Sequence, residues 1–167
     1  MTVVSSKKDE SARTLTIVAE FRADVERVWR VWEDPRLLER WWGPPTWPAT
    51  FLRHEFVAGG QSRYVMTGPG GEKSHGWWSI VSIDAPRRIE LEDGFSDQDG
   101  RPITTEPMRM VVTFEESTGG TRMSVRTEFP SSTQMEQVIG MGMEEGMRLA
   151  MGQIDGLLEG ADASHVR

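Results

Sequence analysis

Residues 133–159 read TQMEQVIGMGMEEGMRLAMGQIDGLLE, and the architecture turns on this stretch. Met135, Val138, Ile139, Met143, Met147, Ala150, Met151, Ile154, Leu157 and Leu158 recur at i, i+3, i+4 and i+7, the spacing of one apolar helix face. Pro130 ends the segment before it, and Ser131 to Thr133 offer capping hydroxyls. The pattern predicts one helix from Thr133 to Glu159, about 40 Å long at about 1.5 Å per residue, enough to cross a whole sheet. Gly140, Gly142, Gly146, Gly152 and Gly156 interrupt it, each costing about 1 kcal/mol of helix propensity relative to Ala. Gly142 and Gly146 share a stripe with Met143 and Met147, so the buried face alternates flexible bulk with empty space. Such a helix either admits another backbone closely or leaves a cavity, and against a curved sheet the cavity is expected.

Upstream, Leu15, Ile17, Ala19 and Phe21 alternate with polar neighbours, the period of a half-buried strand. Asp24 then caps a helix carrying Val25, Val28, Trp29 and Trp32 at helical spacing, closed by Asp34-Pro35. A second short helix, from about Arg36 to Trp42, ends at Gly43-Pro44-Pro45. Strands follow at Thr50–Val57, Gln61–Thr67, Ser74–Ile83 and Arg88–Phe95, with Gly68-Pro69-Gly70-Gly71 and Asp84-Ala85-Pro86 as turns. Ile89 and Leu91 face one way while Glu90 and Glu92 face the other, so one side of the sheet meets water. Met108 to Phe114 and Met123 to Phe129 alternate on either side of Ser117-Thr118-Gly119-Gly120 and read as a hairpin. The alternation leaves open which of Trp77 and Trp78 points inward.

The expected class is α+β: a curved antiparallel sheet of six or seven strands, two short helices after strand one, and a long C-terminal helix across the concave face. Residues 1–12 are expected to form a flexible N-terminal segment, 13–160 the domain and 161–167 a frayed tail.

In 167 residues there is no cysteine, which excludes disulfides, thiol chemistry and Cys-ligated metal or iron–sulfur sites. No run approaches the roughly 20 apolar residues of a membrane span, and the first 13 residues are polar, so no membrane insertion and a cytoplasmic location are expected. A net charge of −7 argues against nucleic acid as a partner, since affinity for phosphates comes from clustered Lys and Arg. Arg dominates Lys and Asn is absent, a bias that points to a GC-rich bacterial gene. Seven Trp and ten Met suit irregular apolar surfaces.

The segment Leu38-Glu39-Arg40-Trp41-Trp42-Gly43-Pro44 stands out, together with Val28–Trp32, Gly59-Gly60, Val65-Met66-Thr67-Gly68-Pro69-Gly70-Gly71, Asp84-Ala85-Pro86-Arg87-Arg88-Ile89 and Gly120-Thr121-Arg122-Met123. These motifs, in this element order over residues 13–159, resemble the START-like, helix-grip (SRPBCC) superfamily, in the branch related to the C-terminal domain of the heat-shock ATPase activator. The resemblance implies a helix-grip fold around a cavity. It implies less about activity, because members carry lipids, sense small molecules, cyclise polyketides, or bind other proteins, as in chaperone regulation and stress response. That branch often has Trp where this chain has Met147, a change that widens or reshapes the pocket.

The candidate ligand-binding residues fall into three groups. Trp32, Trp41, Trp42 and Trp78 supply aromatic walls; Tyr64, Met66, His75, Met110 and Met123 belong to the inner sheet face; Gly142, Met143, Gly146 and Met147 belong to the helix stripe. Trp41 and Trp42, locked by Gly-Pro-Pro, are expected to plug one mouth of the concavity. If any chemistry is done, His75, Tyr64 and Glu55 are the candidate proton-transfer groups, with Arg63 a candidate for orienting a polar head. His54-Glu55 begins like a zinc-protease signature, but Ala58 stands where the second His is needed, and no metal site or cofactor is expected. No serine lies in a nucleophile turn, and no glycine run has a phosphate-binding context.

Three functions follow. The leading one binds a small hydrophobic or aromatic molecule as carrier, sensor or sequestering protein. The alternatives are a polyketide-cyclase-like or hydrolase-like enzyme in the same cavity, and a protein-interaction or chaperone-regulating module. A homodimer is compatible with all three.

Overall fold

The computed structural model describes residues 3–103 and 106–165, with side chains described as far as residue 159. A strand β1 (Val3–Asp9) and a strand β2 (Thr14–Phe21) precede two short helices, α1 (Val25–Glu33) and α2 (Pro35–Leu38). Six strands follow: β3 (Ala49–His54), β4 (Gln61–Thr67), β5 (Lys73–Asp84), β6 (Arg88–Ser96), β7 (Met108–Ser117) and β8 (Gly120–Glu128). Helices α3 (Ser132–Gly140), α4 (Met143–Gly152) and α5 (Ile154–His165) close the chain. The strands form one sheet in the order β1-β2-β8-β7-β6-β5-β4-β3, antiparallel at every pairing.

The architecture is the expected α+β helix grip, and period-2 alternation builds it. Leu15, Ile17, Ala19 and Phe21 of β2 meet Met123 and Val125 of β8 and Met110, Val112 and Phe114 of β7 on the buried face. The opposite face carries pairs such as Arg126 with Glu128 at 2.9 Å and Arg109 with Glu90. These exposed pairs keep that face wet and add little stability. Helix α1 begins where the Asp24 carboxylate accepts the Arg27 N–H at 2.9 Å, and it lays Val28, Trp29 and Trp32 onto the sheet. Asp34 caps α2 in turn, accepting the Arg36 N–H, with Pro35 in the first turn where its missing N–H costs nothing.

The structure departs from the sequence reading in its strand count and in the extent and continuity of its helices. The sheet has eight strands, because Val3–Asp9 within the segment expected to be flexible pairs along β2, from Ser5 against Val18 to Asp9 against Thr14. Its polar side chains hide it, since an edge strand needs only backbone partners on one side. The single long helix is three helices. Gly142 takes φ +93°, a left-handed conformation that glycine adopts without steric cost, and it turns the chain between α3 and α4. The second break falls at Gln153, whose N–H reaches back to Ala150. In place of one straight rod, bent segments follow the sheet, and the last runs to His165, past the Glu159 at which the sequence ends it. Helix α2 is also shorter than expected, ending at Leu38, with Trp41 and Trp42 held by backbone bonds to Leu38. Among the described residues no helix is long and apolar enough to cross a membrane.

Candidate functional site

A cavity of about 360 Å³ lies between the sheet and the α3–α4 segment. Its floor is Tyr64 and Met66 of β4, Ser74 of β5, Asp93 and Phe95 of β6 and Met108 of β7. Its roof is Val138 and Met141 to Met143 with Gly146, Met147 and Ala150, and its side wall is the loop of Trp42, Gly43, Pro44 and Trp47. Gly43 turns that loop at φ +97°, so close to Trp47 that a Cβ there would lie 2.3 Å from its carbonyl oxygen. The Gln153 side-chain amide donates to the Gly43 carbonyl at 2.9 Å, tying the α4–α5 junction to the wall.

The lining is apolar except at Ser74 and at the pair Tyr64 and Asp93. Tyr64 stands opposite Gly76 of β5, and Asp93 stands opposite Trp78, two residues further along β5. The Tyr64 ring crosses β5 directly above Gly76, where a Cβ would come within 2.3 Å of it. Glycine at position 76 therefore opens the path by which the Tyr64 hydroxyl reaches Asp93 and donates to Oδ1 at 2.8 Å. Both residues are buried, and burial pushes the Asp93 carboxyl from its ordinary 3.8 up to about 7, against the opposing hydrogen bond from Tyr64. Burial, with the adjacent carboxylate, raises the Tyr64 phenol well above its usual value. Two indole N–H groups accompany the pair. That of Trp42 faces the Tyr64 hydroxyl and that of Trp78 faces the Asp93 carboxyl, each near enough to favour the ionised neighbour. Neither completes a hydrogen bond within the described protein. A buried donor without a partner costs about 1–3 kcal/mol, so its retention asks for an explanation.

Of the thirteen sequence candidates, Trp42, Tyr64, Met66, Gly142, Met143, Gly146 and Met147 line the cavity. Trp32, Trp41, Trp78, Met110 and Met123 do not; they are fully buried in the packed core. Trp32 donates its Nε1–H to Met123 Sδ at 3.3 Å and packs edge-on against Trp41, whose own Nε1–H reaches the Val31 carbonyl at 2.8 Å. Trp41 is therefore core, and Trp42 alone of the two borders the cavity. Trp78 is the inward member of its pair, while Trp77 lies over Gly94 and donates to the Phe95 carbonyl at 3.1 Å. His75 opens into a neighbouring groove with Ser96, Ile103 and Gln134. Glu55 is exposed and paired with Arg53 at 2.9 Å, and the Arg63 guanidinium lies against Gly100, so neither carries out the cavity role considered for it. Of the three proton-transfer candidates, Tyr64 alone stands in the cavity. Among the described residues no three His, Asp or Glu side chains gather as metal ligands.

Asp93 escaped the sequence reading, although a signal existed. Ile89 and Leu91 point inward, and the same phase carries Asp93 in after them. Ser74, Phe95, Met108 and Trp47 became visible only when separate strands and a loop came together.

Residues 22–159 match the family described as Activator of Hsp90 ATPase homolog 1-like protein. The chain belongs to this family. A solved structure from Arthrobacter aurescens is 53% identical, with a TM-score of 0.91 over 95% of this chain and 92% of that one. Protein Ms6760 from Mycobacterium smegmatis is 43% identical, with a TM-score of 0.88 over 95% and 99% of the two chains. DynU16, titled a putative protein in the dynemicin biosynthetic locus, is 15% identical at a TM-score of 0.63, covering 88% of this chain and 47% of that one, and shares the fold alone. No curated protein matches the chain. Membership of the Hsp90 ATPase activator homologue family accounts for the helix-grip architecture and agrees with a cavity between sheet and helices.

Proposed function

We propose that this family member binds a small hydrophobic or aromatic molecule between the sheet and helices α3 and α4, acting as a carrier, sensor or sequestering protein. The supporting observation is the roof. Helix α4 places Gly146 between Met143 and Met147 over the cavity, and a Cβ at Gly146 would meet nothing within 4 Å. Helix propensity disfavours that glycine by about 1 kcal/mol, and thioethers adapt to irregular apolar shapes, so the roof gives up stability for space. Affinity would come from burying ligand surface at roughly 25 cal/mol per Å².

Titrating intrinsic Trp fluorescence with a panel of apolar molecules tests the reading, because Trp42 and Trp47 border the space. Saturable quenching or enhancement is expected with the parent protein. Gly146→Leu should abolish it while leaving the fold intact, since Leu is the better helix former. Binding by Gly146→Leu as tight as by the parent would overturn the assignment of the site.

An enzymatic reading has one observation in its favour. Asp93, carried near neutrality inside a cavity, has the acidity of a general acid or base, a role the sequence had offered to His75. Turnover of a bound molecule that is lost in Asp93→Asn with binding retained would select it.

A further inference from the structure

We propose that the groove beside His75 is the head-group site of an amphiphile, which lays its apolar body in the cavity and holds an anionic head, such as a carboxylate, against Lys73 and His75. This rests on the reading that the cavity holds an apolar molecule. It adds which end of that molecule stays outside and what charge that end carries.

The groove, of about 540 Å³, adjoins the cavity, and the two share floor and roof: Ser74 and Phe95 of the sheet, Val138 of α3 and Met141 at the end of α3 line both. A molecule too long for the cavity thus has its way out between the β5–β6 pair and α3. Met141 is 69% exposed, so this edge of the passage is a thioether chain that little packing fixes. Charge separates the two spaces. The cavity holds the buried Asp93 and no Lys or Arg among its lining residues, so an anionic head placed there would lose its water and gain no cation. The groove holds Lys73 and His75. His75 stands opposite Ser96 in the β5–β6 register, and Lys73 lies two residues before His75 on the same strand, so the three share one face of the sheet and all line the groove. None of these three side chains has a hydrogen-bond or ion-pair partner among the described residues. Asp97 also lines the groove, but its Oδ1 accepts the N–H groups of Asp99 and Arg101 at 2.9 Å each, which holds it to its own loop. An ammonium, an imidazole and a hydroxyl can each donate to an anionic oxygen. A cationic head would instead meet Lys73 as a like charge.

The test uses three probes of equal chain length with the full chain: decanoate, 1-decanol and decylammonium, each below its micelle concentration, titrated by Trp fluorescence and checked by calorimetry. Decanoate is expected to bind about five-fold or more tighter than 1-decanol, as a charge-assisted contact at a partly exposed site implies, with decylammonium weakest. Combining Lys73→Met with His75→Gln should bring decanoate to the level of 1-decanol and leave 1-decanol unchanged. The comparison of probes on the parent protein decides the matter even if that double variant folds poorly. Equal binding of decanoate and 1-decanol by the parent overturns the head-group site and leaves the apolar cavity standing. A preference for decanoate that survives the double substitution puts the anion elsewhere and overturns the groove as its site. Tightest binding by decylammonium overturns the charge assigned to the head. Failure of all three to bind overturns both the head-group site and the reading on which it rests.

Discussion

One sheet carries two interiors. Beneath α1 and α5, Trp32 packs edge-on against Trp41 and donates to Met123, and Phe114 packs edge-on against Trp29, all of them buried. Beneath α3 and α4 the same sheet faces a void floored by Tyr64, Met66 and Asp93. Hydrophobicity does not separate the halves, since methionines occur in both. The covering helix does. Helix α1 presents two indoles and valines without a glycine in Val25–Glu33, while α4 presents Gly146 between two thioethers and is set off by the left-handed Gly142. The halves also differ in how they treat polar groups. In the filled half, His54 is bound from both sides, its Nε2–H donating to the Trp32 carbonyl at 3.0 Å and its Nδ1 lying 2.8 Å from Ser62 Oγ. At the hollow half the Trp42 N–H is left without an acceptor, and burial pushes the Asp93 carboxyl up to about 7.

Truncations should break or sharpen this contrast. The largest effect is expected for Trp32→Ala in the filled half, a loss of about 3–5 kcal/mol in urea unfolding, as for other large-to-small changes in packed cores. A loss under about 1 kcal/mol would mean that this half does not carry the fold. Next comes Asp93→Asn, whose effect depends on pH. The Asp93 carboxyl keeps its proton in the folded state up to about pH 7, while the unfolded chain releases it near its ordinary 3.8. Between those values the folded state binds more protons, so the parent loses stability as the pH rises and levels off above about 7. Asparagine has no such proton. Relative to the parent, Asp93→Asn should gain about 2 kcal/mol at pH 8 and nothing near pH 4, read from melts across that range. A difference that does not change with pH would show that Asp93 is not a buried acid. The smallest effect belongs to Met147→Ala, expected to cost under about 1 kcal/mol because the side chain already borders open space, against about 2–5 kcal/mol for Met123→Ala in the packed half. Equal losses for the two methionines would erase the distinction between the halves.

The strands and the helical insertion were legible because alternation and capping are local. Leu15 to Phe21, Asp24 before α1, Asp34-Pro35 and the Ser117–Gly120 turn each announce themselves within a few residues. The roof was legible in part: Gly142, Met143, Gly146 and Met147 were marked by glycines that a packed helix would not keep. The floor was not. Tyr64 reaches Asp93 only because Gly76, on the strand between them, carries no side chain, and such a diagonal contact has no signature along the chain. Trp41 and Trp42 are neighbours with the same composition signal, yet one is core and the other borders the cavity. Their difference lies in the turn after α2, where Leu38 accepts both backbone N–H groups and Gly43 redirects the chain.

By itself, the sequence determined the class, the order of elements and the presence of a gapped helix over a sheet, since each depends on periodicity and on residues with restricted or permissive backbones. Tertiary structure alone decided that the helix breaks at Gly142, that β1 joins the sheet, and that Asp93, Tyr64 and Trp42 converge. Those outcomes depend on the curvature of the sheet and on which distant side chains meet across it, and sequence spacing carries neither.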